Sequence, residues 1–259
     1  MLRLDRIIIY PIKSLDGVSI NEVQLLSAAG LRWDRQFAMY DERGQWINGK
    51  KNPLVHRLRS SFDLDSRTVS MENISRTEKH SFHLDHQRAE LQEWLSGFFH
   101  QRVELRENCA AGFPDDTDAP GPTIIGSATL AAVASWFPGL DIDEARRRFR
   151  ANLEIDVPDP FWEDRLVGEA GAVVPFQIGD VRMLGVNPCQ RCAVPTRSSE
   201  TGEVSSGFAK EFATRREATL PAWSPRSRFN HYYRLAVNTR VPASEAGKWL
   251  RTGDVLRLS

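Results

Sequence analysis

Long hydrophobic runs and net charge are both missing from this sequence. No uninterrupted apolar run approaches the roughly 18 residues that a membrane-spanning helix needs, so we expect no membrane partner. Lysine and arginine total 34, aspartate and glutamate also total 34, and the formal net charge is zero. Because proteins that bind nucleic acid neutralise many phosphates with excess positive charge, we also expect no nucleic acid partner.

Cysteine is scarce as well. Cys109, Cys189 and Cys192 form an odd and sparse set, unlike the paired disulfide framework of a small secreted protein. Near the N-terminus, Asp5 and Arg6 precede a run of three isoleucines that is too short for a secretory signal. Both observations predict a protein of the reducing cytoplasm.

Two patterns typical of redox modules are absent from the sequence. It contains neither a GxGxxG nucleotide-binding pattern nor the clustered cysteines of an iron–sulfur domain. We therefore expect any electrons used by this chain to come from elsewhere.

What the sequence does contain is a series of short β-like runs separated by turn signals, a spacing typical of a barrel or sandwich. Apolar residues at period two predict strands that pair as hairpins. The predicted strands cover 37–40, 45–48, 62–64, 69–71, 176–184 (a hairpin turning at Gly179-Asp180), 233–239 and 255–258. The predicted fold class is mainly β with short helices.

Three helices are predicted from apolar residues at helical spacing. The first follows Asp85 as its N-cap and carries an apolar stripe, the second begins near Ser127 and ends at Phe137, and the third spans about 143–150. Between the first two lies 110–122, a segment dense in turn formers and acids. We place the domain junction there.

The most informative motif is Cys189-Gln190-Arg191-Cys192, which follows a predicted strand. A thioredoxin-like redox pair would need a helix continuing through the second cysteine, and Pro195 argues against that helix. A structural zinc site would need two more ligands, and no second CxxC or HxxxH is present. Two buried thiols acting as small apolar residues are the third interpretation. Spacing alone leaves these alternatives open.

This motif, with Thr196 and Glu200-Thr201-Gly202, resembles the cofactor-cysteine motif of the MOSC family, named after the C-terminal domain of molybdenum cofactor sulfurase. Further segments that resemble family motifs are Tyr10–Ser14 with Gly17, Gly30–Arg35, Phe149–Asn152, Phe161–Asp164 and Gly253–Val255. The sequence departs from the family at three positions: Ala151, where eukaryotic relatives have proline, Arg197, where an aliphatic residue is usual, and Ser198, where many members have aspartate.

The resemblance implies an N-terminal MOSC-type β-barrel domain over 1–115 and a MOSC β-barrel domain over 116–259. It also implies a pyranopterin molybdenum cofactor, Mo-molybdopterin, bound where the two domains meet. In the amidoxime-reducing components, which this sequence resembles, the second cysteine of the motif ligates the metal. The residue at that position here is Cys192.

The cofactor contacts that the resemblance implies are Lys13, Ser14, Arg35, Arg150, Asn152, Arg191 and Tyr232. Lys13, Ser14 and Arg35 offer an ammonium, a hydroxyl and a guanidinium, which suit a phosphate or a pterin carbonyl. The alternative for Arg35 is a surface ion pair with Asp34 or Glu42.

For Arg191 and Tyr232 we state further expectations. The positive charge of Arg191, next to Cys192, is expected to lower the pKa of that thiol. Tyr232 is matched through a short motif, so Tyr233 is its alternative. Cys189 is expected to pack as a small residue, and Cys109 matches no motif.

The activity that the resemblance implies is two-electron reduction of N-hydroxylated or N-oxide compounds. We see no membrane anchor before Leu2 and no ferredoxin domain after Ser259, so a separate ferredoxin-, flavodoxin- or reductase-like donor is expected. The rival hypothesis is a sulfur carrier or molybdenum-cofactor carrier that uses Cys192 without turnover. A third hypothesis is a β-barrel interaction module that has lost the cofactor.

Overall fold

β-Strands prevail over helices in residues 2–76 and 78–258, the part of the chain that the computed structural model describes. The strands are β1 (Arg3–Ile9), β2 (Val18–Ile20), β3 (Glu22–Gln24), β4 (Phe37–Tyr40), β5 (Leu58–Asp63), β6 (Thr68–Asn73), β7 (Lys79–His83), β8 (Glu104–Glu107), β9 (Ile124–Gly126), β10 (Leu153–Asp156), β11 (Val174–Ile178), β12 (Val181–Gln190), β13 (Arg234–Arg240), β14 (Trp249–Arg251) and β15 (Leu256–Leu258). The α-helices are α1 (Arg88–Phe99), α2 (Ser127–Ser135), α3 (Ile142–Phe149) and α4 (Phe208–Ala218). The mainly β class with short helices is confirmed.

The largest sheet has eight strands in the order β15-β11-β12-β13-β9-β10-β1-β2, with β9 and β10 parallel and the other neighbours antiparallel. Over the described residues this sheet does not close into the barrel that the sequence led us to expect. The reason lies in β1, because its residues Ile7–Ile9 pair with β2 and its first residue, Arg3, makes an isolated bridge to Val255 beside β15. The start of β1 is therefore linked to the segment before β15 by a single bridge and not by a ladder.

The first hydrophobic core joins the start of the chain to its second half. Leu4, Ile7 and Ile9 of β1 are buried together with Leu153 and Ile155 of β10, since β1 pairs with β10 along this edge. The N-terminal strand thus belongs to the same sheet as β9 to β13. The domain boundary at residue 115 stays a prediction.

A second core lies under the sheet β5-β6-β7 and under α1. The hairpin of β5 and β6 has the register that period-two alternation predicts, with Ser60 opposite Met71. The α1 residues buried in this core are Leu91, Leu95 and Phe99, as the apolar stripe predicts. The N-cap is Gln87 and not Asp85, because the Arg67 guanidinium binds the Asp85 carboxylate through Nε at 2.5 Å.

The third core contains the helix that sequence analysis missed. Phe208 and Phe212 of α4 are buried against Phe149 of α3, with ring centroids 6.4 and 5.6 Å from that of Phe149. The rest of α4 is mostly charged or small and has no apolar stripe, so periodicity gives little signal. No helix in the described residues is long and apolar enough to cross a membrane.

Glu163 is a buried carboxyl group in the segment after β10. It is 1% exposed, and its Oε2 accepts a hydrogen bond from Thr129 Oγ1 at 2.8 Å. Its Oε1 is buried without a partner among the described residues. Burial and the neighbouring Asp164 carboxylate raise the pKa of Glu163 to about 7.

The pH dependence of stability should reflect this carboxyl group. Between the ordinary pKa of 4.5 and the folded-state pKa of about 7, the folded chain holds a proton that the unfolded chain has lost. The free energy of unfolding should therefore fall as pH rises through this window, by about 3 kcal/mol from this group. We expect Glu163→Gln, which stays neutral, to lack that fall when urea unfolding is measured at pH 5 and pH 8. The exposed control Glu217→Gln should keep it, and an unchanged pH slope in Glu163→Gln would refute the assignment.

Candidate functional site

A cavity of about 1050 Å³ brings residues from distant parts of the chain together. Seven of the eight residues proposed from the sequence line it: Lys13, Ser14, Arg35, Arg150, Asn152, Arg191 and Cys192. Tyr232 is not among the lining residues. The cavity thus gathers the four motifs that carry these residues, while their role as cofactor contacts remains a prediction.

The cavity wall is strongly cationic although the whole chain has no net charge. Its lining cations are Lys13, Lys50, Arg35, Arg59, Arg146, Arg147, Arg148, Arg150, Arg191, Arg197 and Arg234. Its lining acids are Asp16, Asp34, Asp115 and Asp116. The lining cations outnumber the lining acids by seven, but Arg146, Arg147 and Arg148 are paired with two glutamates, Glu144 and Glu154, that are not lining residues. The cation excess that remains favours an anionic ligand.

Lys13 and Arg35 meet a carboxylate at one wall of the cavity. Lys13, only 5% exposed, places Nζ 2.7 Å from Asp115 Oδ1 and donates to the Phe113 carbonyl at 2.8 Å. Arg35 donates to Asp34 Oδ2 at 2.5 Å, and its Nε lies 3.6 Å from Asp115 Oδ2. Burial lowers the pKa of Lys13, and the Asp115 carboxylate only partly opposes this. Both cations therefore already face an anion, which the chain itself supplies.

The alternative for Arg35, an ion pair with Asp34, is present, but the pair is not on the surface. Each side chain is 12% exposed. Burial lowers the pKa of Arg35, but the carboxylates of Asp34 and Asp115 outweigh it and raise the pKa above its ordinary value. Asp34 also accepts the backbone N–H of Tyr10 at 2.9 Å. The pair therefore fixes the Arg35 side chain at the cavity wall.

Arg150 and Asn152 lie beside Arg35 in the cavity. The Arg150 guanidinium is 4.0 Å from the centre of the Tyr10 ring and donates to the Leu15 carbonyl at 2.6 Å. Asn152 is 2% exposed, and its Oδ1 accepts from Arg35 Nη1 at 3.3 Å while its Nδ2 donates to the Ile8 carbonyl at 3.1 Å. Because its amide is used within the protein, Asn152 orients Arg35.

Three of the lining residues adopt left-handed backbone conformations. Ser14, Arg35 and Arg150 have φ angles of 77°, 48° and 54°, values that are uncommon for residues other than glycine. Arg150 ends α3 in this conformation. Such backbone strain is often retained at functional sites, where surrounding contacts hold side chains in a required direction.

The two neighbouring cysteines have different surroundings. Cys189 lies near the end of β12, packs partly against the third core and receives a contact from Arg191 Nη1 at 3.2 Å. Both cysteines line the cavity, and Cys192 accepts the backbone N–H of Val194 at 3.5 Å. Arg191 thus contacts the sulfur of Cys189 and not that of Cys192. The Nη2 of Arg191 donates to the Phe149 carbonyl at 2.5 Å. Both thiols are free.

The local structure bears on the other interpretations of the cysteine pair. Cys192 precedes the short 3-10 helix Val194–Thr196, whereas a thioredoxin-like pair needs an α-helix at the second cysteine. Across residues 2–76 and 78–258, no group of three or more His, Cys, Asp or Glu side chains is placed to hold a metal ion. The zinc alternative gains no support from this arrangement.

Neither Tyr232 nor its alternative Tyr233 is among the described residues that line the cavity. The Tyr232 ring stacks on Phe229, with centroids 5.9 Å apart. Tyr233 packs its ring edge to face with Phe212 at 5.3 Å, and burial raises the pKa of its hydroxyl. In the described structure that hydroxyl is buried and has no hydrogen-bond partner. The one-residue ambiguity in the short motif therefore persists in the structure.

Two family models match this chain. The model described as the MOSC N-terminal beta barrel domain matches residues 1–109, and the model described as the MOSC domain matches residues 123–257. The chain belongs to the MOSC family. The resemblance drawn from its motifs is confirmed, and MOSC domains are associated with molybdenum-cofactor enzymes or carriers.

A curated relative of this MOSC chain is the molybdenum cofactor sulfurase of Oryza sativa subsp. japonica. It is 31% identical over 105 residues, which make up 40% of this chain. The match spans only 12% of the length of that relative. The likeness therefore concerns one segment of the sulfurase.

Sequence analysis missed several residues of the MOSC cavity. Asp115 lies in the segment 110–122, which we took only as a junction, yet residues 114–117 and 119–121 line the cavity. His56, Arg59 and Arg197 also line it, and no motif singled out the first two. The available signal was the departure of Arg197 from the family pattern.

Proposed function

We propose that this MOSC cavity binds Mo-molybdopterin and that the Cys192 thiolate is the protein's own ligand to molybdenum. The observation that carries the proposal is the convergence of Cys192 with a predominantly cationic wall on one cavity of about 1050 Å³. Soft thiolate sulfur suits a transition metal, and clustered cations suit a terminal phosphate.

The residues present fit such a group. The cavity volume of about 1050 Å³ slightly exceeds the roughly 300–1000 Å³ of ordinary ligand pockets, so a pyranopterin has room. Arg191 has a buried Nε without a partner in the described part of the chain, a donor that a polar ligand would satisfy. The cation excess offsets the cost of burying a phosphate dianion.

The lining residues that the sequence singled out have separate roles in this proposal. Arg150, held over Tyr10, and Arg35, oriented by Asn152, direct guanidinium donors toward the anionic part of the cofactor. Ser14 adds a hydroxyl beside Lys13. Arg191 fixes the loop that carries Cys192 by binding the Phe149 carbonyl.

As the activity we propose two-electron reduction of N-hydroxylated or N-oxide compounds in the cytoplasm, with electrons from a separate ferredoxin-, flavodoxin- or reductase-like protein. The bound cofactor would supply the two-electron chemistry, while the chain supplies binding, orientation and electrostatics. Support for this finer activity comes from the motif resemblance to the amidoxime-reducing components.

Turnover assays test the proposed reduction. Protein made in a host that synthesises the cofactor should reduce an amidoxime with an artificial low-potential donor but not with NADH alone, because the sequence has no GxGxxG pattern. Protein from a host unable to make the cofactor is the control and should be inactive. Cofactor-loaded protein that fails with every donor and N-oxygenated compound would exclude the reductase.

The second candidate function is sulfur or cofactor carriage through Cys192. It is favoured by the likeness to a protein named molybdenum cofactor sulfurase. A carrier would hold labile sulfur on Cys192, or release cofactor to an acceptor enzyme, without reducing N-oxygenated compounds. Cyanide-labile sulfur that disappears in Cys192→Ser, together with no reductase turnover, would favour this candidate.

Removing the Asp115 carboxylate should strengthen cofactor retention. In the structure this carboxylate occupies Lys13 and Arg35, the two cations proposed for the cofactor. Burial raises the pKa of Asp115, but the positive charges of Arg35 and Lys13 outweigh it and hold the pKa below its ordinary value. The competing negative charge therefore persists at neutral pH. We expect Asp115→Asn to retain cofactor up to about fivefold more tightly during dialysis at raised salt, judged by residual molybdenum.

Asp118→Asn is the matched control for this change. Asp118 is an exposed acid of the same loop that does not line the cavity, so its loss should leave retention unchanged. Weaker retention in Asp115→Asn than in the parent would show that Asp115 supports the ligand and does not compete with it.

A further inference from the structure

A second cationic patch lines the cavity apart from Lys13 and Arg35. Arg59, His56 and Arg197 form it, and all three line the cavity. Arg59 Nη2 donates to the His56 backbone carbonyl at 2.7 Å, which joins these two residues directly. Arg197 comes from the loop after Cys192, so the patch combines an N-terminal segment with a C-terminal one.

The segments that carry Gly202 and Gly49 both pack closely against His56. Arg197 Nη1 donates to the Gly202 carbonyl at 3.0 Å. Gly202 has φ +76°, and a Cβ there would lie 2.9 Å from His56 Cβ. At Gly49 a Cβ would lie 2.7 Å from His56 Nε2, which contacts the Gly49 carbonyl at 3.0 Å. His56 is thus a buried side chain, 8% exposed, in contact with the segment that holds Arg197 and joined through its carbonyl to Arg59.

The charge of this patch is less compensated than that of the Lys13 and Arg35 wall. The carboxylate that contacts it is Asp16, whose Oδ1 accepts from Arg59 Nη1 at 3.2 Å. Asp16 Oδ2 is already used by the Ser60 backbone N–H at 2.8 Å. In the described residues, Arg59 Nε is buried without a partner, and the hydrogen bond of Arg197 goes to a neutral carbonyl. Among the described residues, Asp16 therefore pairs with Arg59, and no carboxylate forms an ion pair with Arg197.

The surroundings of His56 also indicate uncompensated positive charge. Burial lowers the pKa of His56, and the charges of Arg197, Arg59 and Arg150 lower it further, so these guanidinium groups lie close enough to repel a proton there. An anion placed among them would relieve this repulsion and satisfy the orphaned Arg59 donor. Paired guanidinium forks match the oxygen geometry of a carboxylate or phosphate.

We propose that Arg59 and Arg197, positioned by His56, form a subsite for an anionic group, a carboxylate or phosphate, on the substrate of this cavity. Neither arginine is among the residues proposed to hold the cofactor, although the cofactor residue Arg150 adjoins the subsite at His56. The assignment of the subsite to a substrate rests on the proposed function. The substrate class favoured is therefore an N-oxygenated compound that carries a negative charge.

Inorganic phosphate is the probe for this subsite, titrated calorimetrically into protein purified from a cofactor-making host. Arg59→Gln and Arg197→Gln should each weaken phosphate binding about tenfold or more, because each removes a charge-assisted contact. Lys50→Gln, which removes a charge from the same cavity outside the patch, is the control and should bind phosphate nearly as the parent does. Circular dichroism checks that the variants fold.

Steady-state kinetics test whether the anion bound by this subsite belongs to the substrate or to the cofactor. With loaded protein, Arg59→Gln should raise KM for a carboxylated amidoxime about tenfold and leave KM for its neutral analogue almost unchanged. Unaltered phosphate affinity in both arginine variants would overturn the subsite. Phosphate binding by cofactor-free protein but not by loaded protein would also overturn it, since the cofactor would then fill the patch. Absence of turnover with intact phosphate binding would count against the reductase alone.

Discussion

Cys192→Ser should lose the metal centre and all reductase activity, whereas Cys189→Ser should keep much of both. Serine lacks the soft, readily ionised sulfur that a transition metal binds, so the change at Cys192 alters the coordination of the metal itself. Cys189 also lines the cavity, but it packs partly against the third core and contacts Arg191 at 3.2 Å. Its loss should disturb the loop without removing a ligand. Metal analysis and amidoxime turnover on both variants measure the difference.

The same two variants distinguish the competing functions of the cysteine pair. A zinc half-site or a redox disulfide would require both sulfurs, so the two serine variants would then fail together. A persulfide carrier would keep molybdenum in Cys192→Ser while losing labile sulfur. Equal damage from both substitutions would overturn Cys192 as the sole protein ligand.

Arg216→Ala should destabilise the fold by about 3–5 kcal/mol, because it breaks a buried ion pair and leaves a carboxylate uncompensated. Arg216 lies on α4, is 1% exposed and binds Asp164, which also accepts from Ser224. Its guanidinium lies 3.9 Å from the Phe161 ring centre and 5.0 Å from that of Phe229, so packing is lost as well. Urea unfolding followed by tryptophan fluorescence gives the free energy of unfolding.

The neighbouring Arg215 provides the matched control. It is exposed on the same helix and pairs with Glu211 four residues earlier. Arg215→Ala should change the free energy of unfolding by no more than about 0.5 kcal/mol. Similar losses in the two alanine variants would mean that Asp164 finds another partner or that helix propensity dominates.

The β elements could be predicted because their information is local. Alternating apolar residues and the Gly179-Asp180 turn specify the β11–β12 hairpin, and the structure has it. The α4 helix could not be predicted from periodicity, since tertiary packing of Phe208 and Phe212 stabilises a segment with a weak apolar pattern. Closure of a barrel depends on how far the start of β1 pairs with the strand at the other end of the sheet, and strand patterning does not carry that information.

The candidate site also contains residues that the sequence identified and a residue that it did not. Motif resemblance singled out Lys13, Arg35, Arg150 and Cys192, and the fold brings them to one cavity. The partner of Lys13 and Arg35 could not be foreseen, because Asp115 reaches them from a loop about 80 to 100 residues away along the chain. Pairing between residues so far apart depends on the tertiary fold, which local patterns do not encode.

Metal and pterin analysis of the chain purified from a cofactor-making host tests the proposed cofactor binding most directly. About one molybdenum per chain, with equimolar pterin, is expected if Cys192 and the cationic cavity act as a thiolate and phosphate site. Zinc at full occupancy with no molybdenum, from a host shown to load other molybdoenzymes, would contradict it.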